Sequence, residues 1–305
     1  MKDGRINNKL QSGYVRRYTL TDGKENGIKV VEIDNGILRV LLNESKGLDI
    51  MQIWHKGVNM SFVSKNGFTL REIPFLNRFE GGMLYTCGLD AIGAVDGCEL
   101  HGSYHNLPAK IICVSQSESE ICVTAEIEYT ALFGQNLHFL RTVTLDTQSG
   151  SVMLNDTLSN RGTKTENYCL LYHINLGYPM LDEGVKVVSQ TEKVVPRTPY
   201  AAEKIAERTL FPAPIDNEEE RCYFLQNKLS QISVVNEKLG RRFVLSYSAD
   251  TLPCMVQWCS PASGDYALGL EPATSFLDGN FEYKKINADE SLKFSLKLSF
   301  EDIDS

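Results

Sequence analysis

The stretch Glu120–Leu132, EICVTAEIEYTAL, decides the fold class. Ile121, Val123, Ala125, Ile127 and Tyr129 fall on one side and mainly polar residues on the other, and a period of two is that of a strand with one face in a core. The next segment, Leu137–Asn160 (LHFLRTVTLDTQSGSVMLNDTLSN), reads as a strand, a TQSGS turn and a second strand, a hairpin whose turn chemistry comes from Asp, Ser and Gly. Outward from this hairpin the theme repeats in GRRFVLSYSA and in the late SLKFSLKLSF, where Leu292, Phe294, Leu296, Leu298 and Phe300 alternate. PYAAEKIAER, from Pro199, is the one stretch that reads clearly as a helix. These patterns predict an all-β chain of antiparallel sheets with few short helices. The absence of a fixed-period repeat argues against a propeller or solenoid, and with no low-complexity linker residues 1–305 are expected to form a single domain.

A chain of 305 residues is long enough to bury a large core and to enclose a site. The formal charge is −8, and the lysines and arginines are scattered rather than gathered into a run that could follow a phosphate backbone, so nucleic acid is not an expected partner. The opening MKDGRINNKLQSGYVRRYTL has no apolar signal region, and no stretch approaches the roughly 20 apolar residues that span a bilayer. A cytoplasmic protein without a membrane partner is therefore expected. The eight cysteines form no CxxC pair, and the spacing of Cys254 and Cys259 does not match a zinc ribbon, so reduced cysteines and no structural metal are expected.

Two loop-like stretches stand out: Arg71–Pro108, rich in Gly, Asn and Asp, and Pro196–Glu220, with four prolines and the acidic run DNEEE. Long loops on a rigid sheet are where binding and catalytic groups concentrate. Asn77 and Arg78 fit a turn with a solvated arginine, but Phe75, Leu76 and Phe79 bracket them, and an arginine held there offers a fork of donors to hydroxyl or carboxylate oxygens. His101 and His105 have the spacing of a helical metal pair, yet Gly102, Asn106 and Pro108 place them in a loop, so His105 either braces the loop or binds, and His101 beside Gly102 is the better site candidate. His173, in the apolar run LLYHINLGYPML, reads by itself either as a satisfied core histidine or as a reactive group. Glu271, in YALGLEPAT, ends an apparent inner strand, where an unpaired carboxylate is rare unless it works. No serine-hydrolase elbow, P-loop or GxGxxG is present, so no cofactor is expected. One histidine and one carboxylate, supported by an arginine and further histidines, suit general acid–base work on a polar neutral molecule.

LNRF, LHG, YHINLGYP and LGLEPAT, in that order from Asn77 to Thr274, resemble the Asn-Arg, first-histidine, second-histidine and late-glutamate motifs of the aldose 1-epimerase, or galactose mutarotase-like, superfamily, in its DUF4432 branch. The resemblance implies a β-supersandwich and a sugar substrate. It makes His173 the general acid and Glu271 the general base of anomer exchange, and it puts Arg78 and His101, with Asn77 of the Asn-Arg motif, among the groups that hold the sugar. Beside the resemblance, His105 is kept as a further candidate for sugar binding, and Trp258 is expected to stack on the sugar's apolar face. The superfamily's Asn-His-Ser/Thr-Tyr-Phe-Asn arrangement is here LYHINLGY, and the nearest position for its further sugar-binding aspartate is Asp216. The expected function is a cofactor-independent aldose 1-epimerase. The alternatives on the same fold are a non-catalytic carbohydrate-binding protein or another sugar-active enzyme, a lyase or glycosidase.

Overall fold

The computed structural model describes residues 4–278 and 281–303, which form two antiparallel sheets. The smaller is a meander of β1 (Tyr14–Thr19), β2 (Lys29–Asp34), β3 (Leu38–Asn43), β4 (Asp49–His55) and β5 (Val58–Asn59). The larger, among the described residues, comprises β6 (Leu84–Leu89), β7 (Lys110–Gln116), β8 (Glu120–Thr130), β9 (Asn136–Asp146), β10 (Ser151–Asn160), β11 (Glu166–Leu176), β12 (Lys186–Pro196), β13 (Arg221–Asn236), β14 (Arg241–Tyr247), β15 (Cys254–Ser260), β16 (Ala267–Ala273), β17 (Lys284–Ile286) and β18 (Ser291–Asp302). Its main path runs β17-β11-β16-β15-β13-β14-β18-β10-β9-β8-β7, with β12 added beside β13 and β6 beside β11.

The period-two reading holds along β8, where Ile121, Val123, Ala125 and Ile127 are buried and Tyr129 is partly covered. It holds again along β18, where Phe294, Leu296, Leu298 and Phe300 are buried. The predicted hairpin is β9–β10, in register from Val152 opposite Leu145 to Asn160 opposite Leu137. Val31, Ile33, Val40 and Leu42 of the small sheet share one core with Val123, Val143, Val152 and Leu154 of the large sheet. Each such side chain contributes about 1.5–3 kcal/mol by leaving water.

Two local readings need correction. PYAAEKIAER is not one helix: α2 covers Pro199–Glu203, capped by the Thr198 hydroxyl accepting from the Ala201 N–H, and a separate 3-10 turn covers Ile205–Arg208. Tertiary partners override the helical pattern there, because Glu207 accepts from Arg221 and Arg208 donates to Gln257 at 3.0 Å. Within Arg71–Pro108, Phe75–Arg78 forms a one-turn helix, α1, and β6 is a full strand of the large sheet. All eight cysteines are free thiols. Among the described residues no helix is long and apolar enough to cross a membrane.

A buried ionic network ties the sheets together and fixes the back of β11. Arg141 is fully buried, and its guanidinium donates to Asp49 at 2.6 Å, Asp156 at 2.8 Å, Thr86 at 3.1 Å and the Gly47 carbonyl at 3.0 Å. The Tyr172 hydroxyl donates to Asp156 at 2.7 Å, which pins that residue of β11 to the network side. Successive side chains alternate along a strand, so His173 faces the opposite way.

Candidate functional site

β11 and β16 pair antiparallel, and His173 and Glu271 lie between the paired positions Leu171–Ala273 and Ile174–Leu270. Beyond β16, Trp258 of β15 sits opposite Gly269, and Cys222 of β13 sits opposite Trp258. The faces of these strands form one wall of a cavity of about 550 Å³. The other walls come from the two long loops: Phe75, Phe79 and His101 from the first, and Arg197, Glu218 and Glu220 from the second. Lys65 and Asp265 close it, paired with each other at 2.7 Å.

His173 and Glu271 are buried polar residues that line this cavity. Nε2 of His173 lies 3.2 Å from Oε1 of Glu271, with side-chain exposures of 6% and 2%. The approach is close but unaligned: Glu271 Oε1 and His173 Nδ1 each lack a hydrogen-bond partner. Buried polar atoms without partners are uncommon in folded proteins, and here two of them belong to groups that line a cavity. Burial, with the nearby Glu220 carboxylate adding to it and Arg197 opposing, pushes the Glu271 carboxyl up to about 8. Burial, reinforced by His101, pushes the His173 imidazole down to about 3. At neutral pH the pair thus holds one dissociable proton, and the dry surroundings favour its neutral arrangement, carboxylic acid beside imidazole. The placement differs from the imidazolium and carboxylate that the roles of acid His173 and base Glu271 imply, but the number of protons is the same.

His101 reaches the cavity from a left-handed backbone conformation, φ 66°, a strained geometry for a non-glycine residue. Its Nδ1–H donates to the Ile92 carbonyl at 2.9 Å, and burial holds its pKa below the usual value. That hydrogen bond fixes the tautomer, so Nε2 is left with a lone pair able to accept from a hydroxyl. Its ring stands edge-on to His173, 6.0 Å between centroids. Trp258 also packs edge-on against His173, 5.6 Å between centroids, and its indole N–H donates to Glu220 at 2.8 Å, which fixes the ring plane.

Four of the seven residues singled out from sequence therefore meet at the cavity: His101, His173, Trp258 and Glu271. The other three do not line it. Asn77 is exposed on α1. Arg78 turns away, because Glu99 pairs with its guanidinium and the Asn106 amide oxygen accepts from Nη1 at 3.0 Å. His105 belongs to the buried network, held between Asp49 at 2.6 Å and Glu80 at 2.9 Å, with Lys46 on the far side of Glu80. Burial alone would lower the His105 pKa, but the Glu80 and Asp49 carboxylates outweigh it and raise the value. Of its two sequence readings, bracing is the one this arrangement fits. Asp216 is exposed and does not reach the cavity, whereas Glu218 and Glu220 of the same DNEEE run do. The sequence signal for these carboxylates was the acidic run itself. Which members turn inward depends on Arg221 and Tyr200, which hold Glu218, and on Trp258, which holds Glu220. Among the described residues, Glu126, Glu128 and His138 form a group with metal-ligand proximity, but it lies on β8 and β9 away from the cavity, with Arg161 already paired to Glu126.

The profile of a family described as a domain of unknown function, DUF4432, matches residues 25–299. The chain belongs to the DUF4432 family. No protein in a search of curated sequences matches it. In fold, this DUF4432 chain is similar to a Klebsiella pneumoniae protein described as a "putative aldose 1-epimerase", with a TM-score of 0.85 at 21% identity, covering 94% of this chain and 83% of the other. It is also similar to a galactose mutarotase-like protein from Clostridium acetobutylicum, with a TM-score of 0.73 at 14% identity over 96% and 100% of the two chains. A galactose mutarotase-like protein from Lactobacillus casei gives 0.62 at 14% identity over 89% and 100%. The architecture is that of the galactose mutarotase-like proteins.

Proposed function

We propose that this DUF4432 chain acts as one mutarotase-like domain that interconverts the α and β anomers of an aldose by cofactor-independent acid–base catalysis. The observation that carries the reading is the His173–Glu271 pair, buried, 3.2 Å apart, short of partners, and lining a cavity of sugar-accommodating size. Ring opening requires that the proton leave the C1 hydroxyl while another reaches the ring oxygen, as the C1–O5 bond breaks and the C1=O1 bond forms. A pair sharing one proton supplies both groups. With the proton on the carboxyl, Glu271 donates to O5 and His173 accepts from O1, leaving imidazolium beside carboxylate. After rotation about C1–C2, closure on the other face returns both protons. If the pair starts as imidazolium and carboxylate, the roles are those the superfamily resemblance assigns. Each partner contributes about 10²- to 10⁴-fold.

The remaining groups position the ring. His101 Nε2 accepts from a hydroxyl, Glu220 accepts from another at the mouth, and Trp258 covers an apolar sugar face. The eight free cysteines support a reducing, cytoplasmic setting for this activity. The test is saturation-transfer NMR on freshly dissolved aldoses. The reading expects accelerated exchange between anomers for at least one sugar, and no acceleration across a broad panel would refute it.

A further inference from the structure

The strand that delivers Glu271 carries a glycine two residues earlier, and its surroundings explain why no side chain stands there. A Cβ built at Gly269 would lie 2.8 Å from Oε1 of Glu271, 2.8 Å from Cε1 of His173 and 3.2 Å from Cβ of Trp258. The first two are collisions and the third is a tight contact. Many glycines are required by their backbone, as at Gly102, whose φ is 78°. Gly269 is different: it lies inside β16, in register with Asn175 of β11 and Trp258 of β15, and its φ is outside the left-handed region. Any residue could adopt that backbone, and only space excludes one.

We infer that Gly269 is a positioning residue whose missing side chain lets the His173 ring and the Glu271 carboxylate come together at one depth in the cavity. Three strands converge on the gap, β11 with His173, β16 with Glu271 and β15 with Trp258, and a methyl group at its centre touches all three side chains at once. The two atoms within 3.0 Å are a carboxylate oxygen and a ring carbon of groups that line the cavity, and Trp258 Cβ at 3.2 Å has to give by only a few tenths of an ångström. The core behind β16 is untouched by them. An added methyl therefore displaces the reactive groups more readily than it unfolds the chain.

The experiment is Gly269→Ala, with three readouts. Thermal unfolding is expected within a few degrees of the parent. The Cε1–H resonance of His173, identified by its disappearance in His173→Asn, is expected to move, since Cε1 is one of the atoms the methyl meets. Catalysed anomer exchange is expected to fall by about 10²-fold in kcat with a smaller change in KM, because misplacing reacting groups by about 1 Å has that effect. The catalytic part rests on the mutarotase reading, but the resonance does not. A moved resonance in a protein whose parent exchanges no sugar sinks the mutarotase reading and upholds the positioning role. An unmoved resonance, a variant that cannot fold, or normal exchange despite a moved resonance overturns the inference.

Discussion

Glu271→Gln should make the protein more stable in mild alkali than its parent. In the folded chain the Glu271 carboxyl titrates at about 8, whereas its ordinary value is 4.5. A pKa raised by folding means that the folded state binds the proton more tightly than the unfolded chain does. The contribution is whole below about 4.5 and is lost as pH rises through 8. Over that interval each pH unit costs about 1.4 kcal/mol, so the parent loses about 5 kcal/mol in all. Glutamine has nearly the same size and cannot ionise, so this loss should disappear. For a chain of this length about 5 kcal/mol corresponds to roughly 8 °C in Tm. The assay is thermal unfolding of both proteins at about pH 5 and about pH 9 in matched ionic strength. Burial holds His173 neutral in the folded state across this pH range, so the difference between the two proteins reports the ionisation of Glu271. Parallel pH dependence in the two proteins would refute the claim that Glu271 is held protonated by burial.

Three further outcomes follow from the same geometry. The exchange rate should stay level through neutrality and fall about tenfold per pH unit above about 8, where the pair loses its shared proton, and a profile that rises above that point would contradict this. His105→Ala should lower stability by about 3–5 kcal/mol, by leaving Asp49 and Glu80 without their common partner, while exchange per folded molecule stays near normal; loss of exchange in a stable variant would return His105 to the site. A neutral aldose should bind more tightly than its phosphate, because the cavity's cations are already matched, Lys65 by Asp265 and Arg197 by Asp278, and phosphate recognition recruits several free donors. Calorimetric titration with each sugar decides that point.

The strands were legible because burial on one face leaves a period of two, as in Ile121 to Tyr129 and Leu292 to Phe300. Glu271 stood out because a carboxylate in an apolar strand needs a reason to be there, whereas His173 read equally as a core histidine until the family resemblance gave it a role. What the sequence hid was partnership across long separations. Arg78 and His105 look alike as candidates until folding brings Glu99 to one and Asp49 to the other. The choice of Glu218 and Glu220 over Asp216 is likewise made by Arg221 and Trp258 rather than by anything within DNEEE. Gly269 in LGLE reads as an ordinary strand glycine, and only the arrival of His173 from a strand about a hundred residues earlier gives its empty Cβ position a meaning.

The most direct measurement is to compare sugar affinity and catalysed anomer exchange in Glu271→Gln protein, on the aldose that the parent exchanges fastest. Glutamine keeps the size and most of the hydrogen-bonding reach of the side chain while removing its proton transfer. The account predicts a Kd within a few-fold of the parent and exchange lower by roughly 10²-fold or more, with His173→Asn about as damaging as the double variant, because the pair acts as a unit. Near-normal exchange in well-folded Glu271→Gln protein would contradict the mechanism and leave a carbohydrate-binding protein on a mutarotase-like fold.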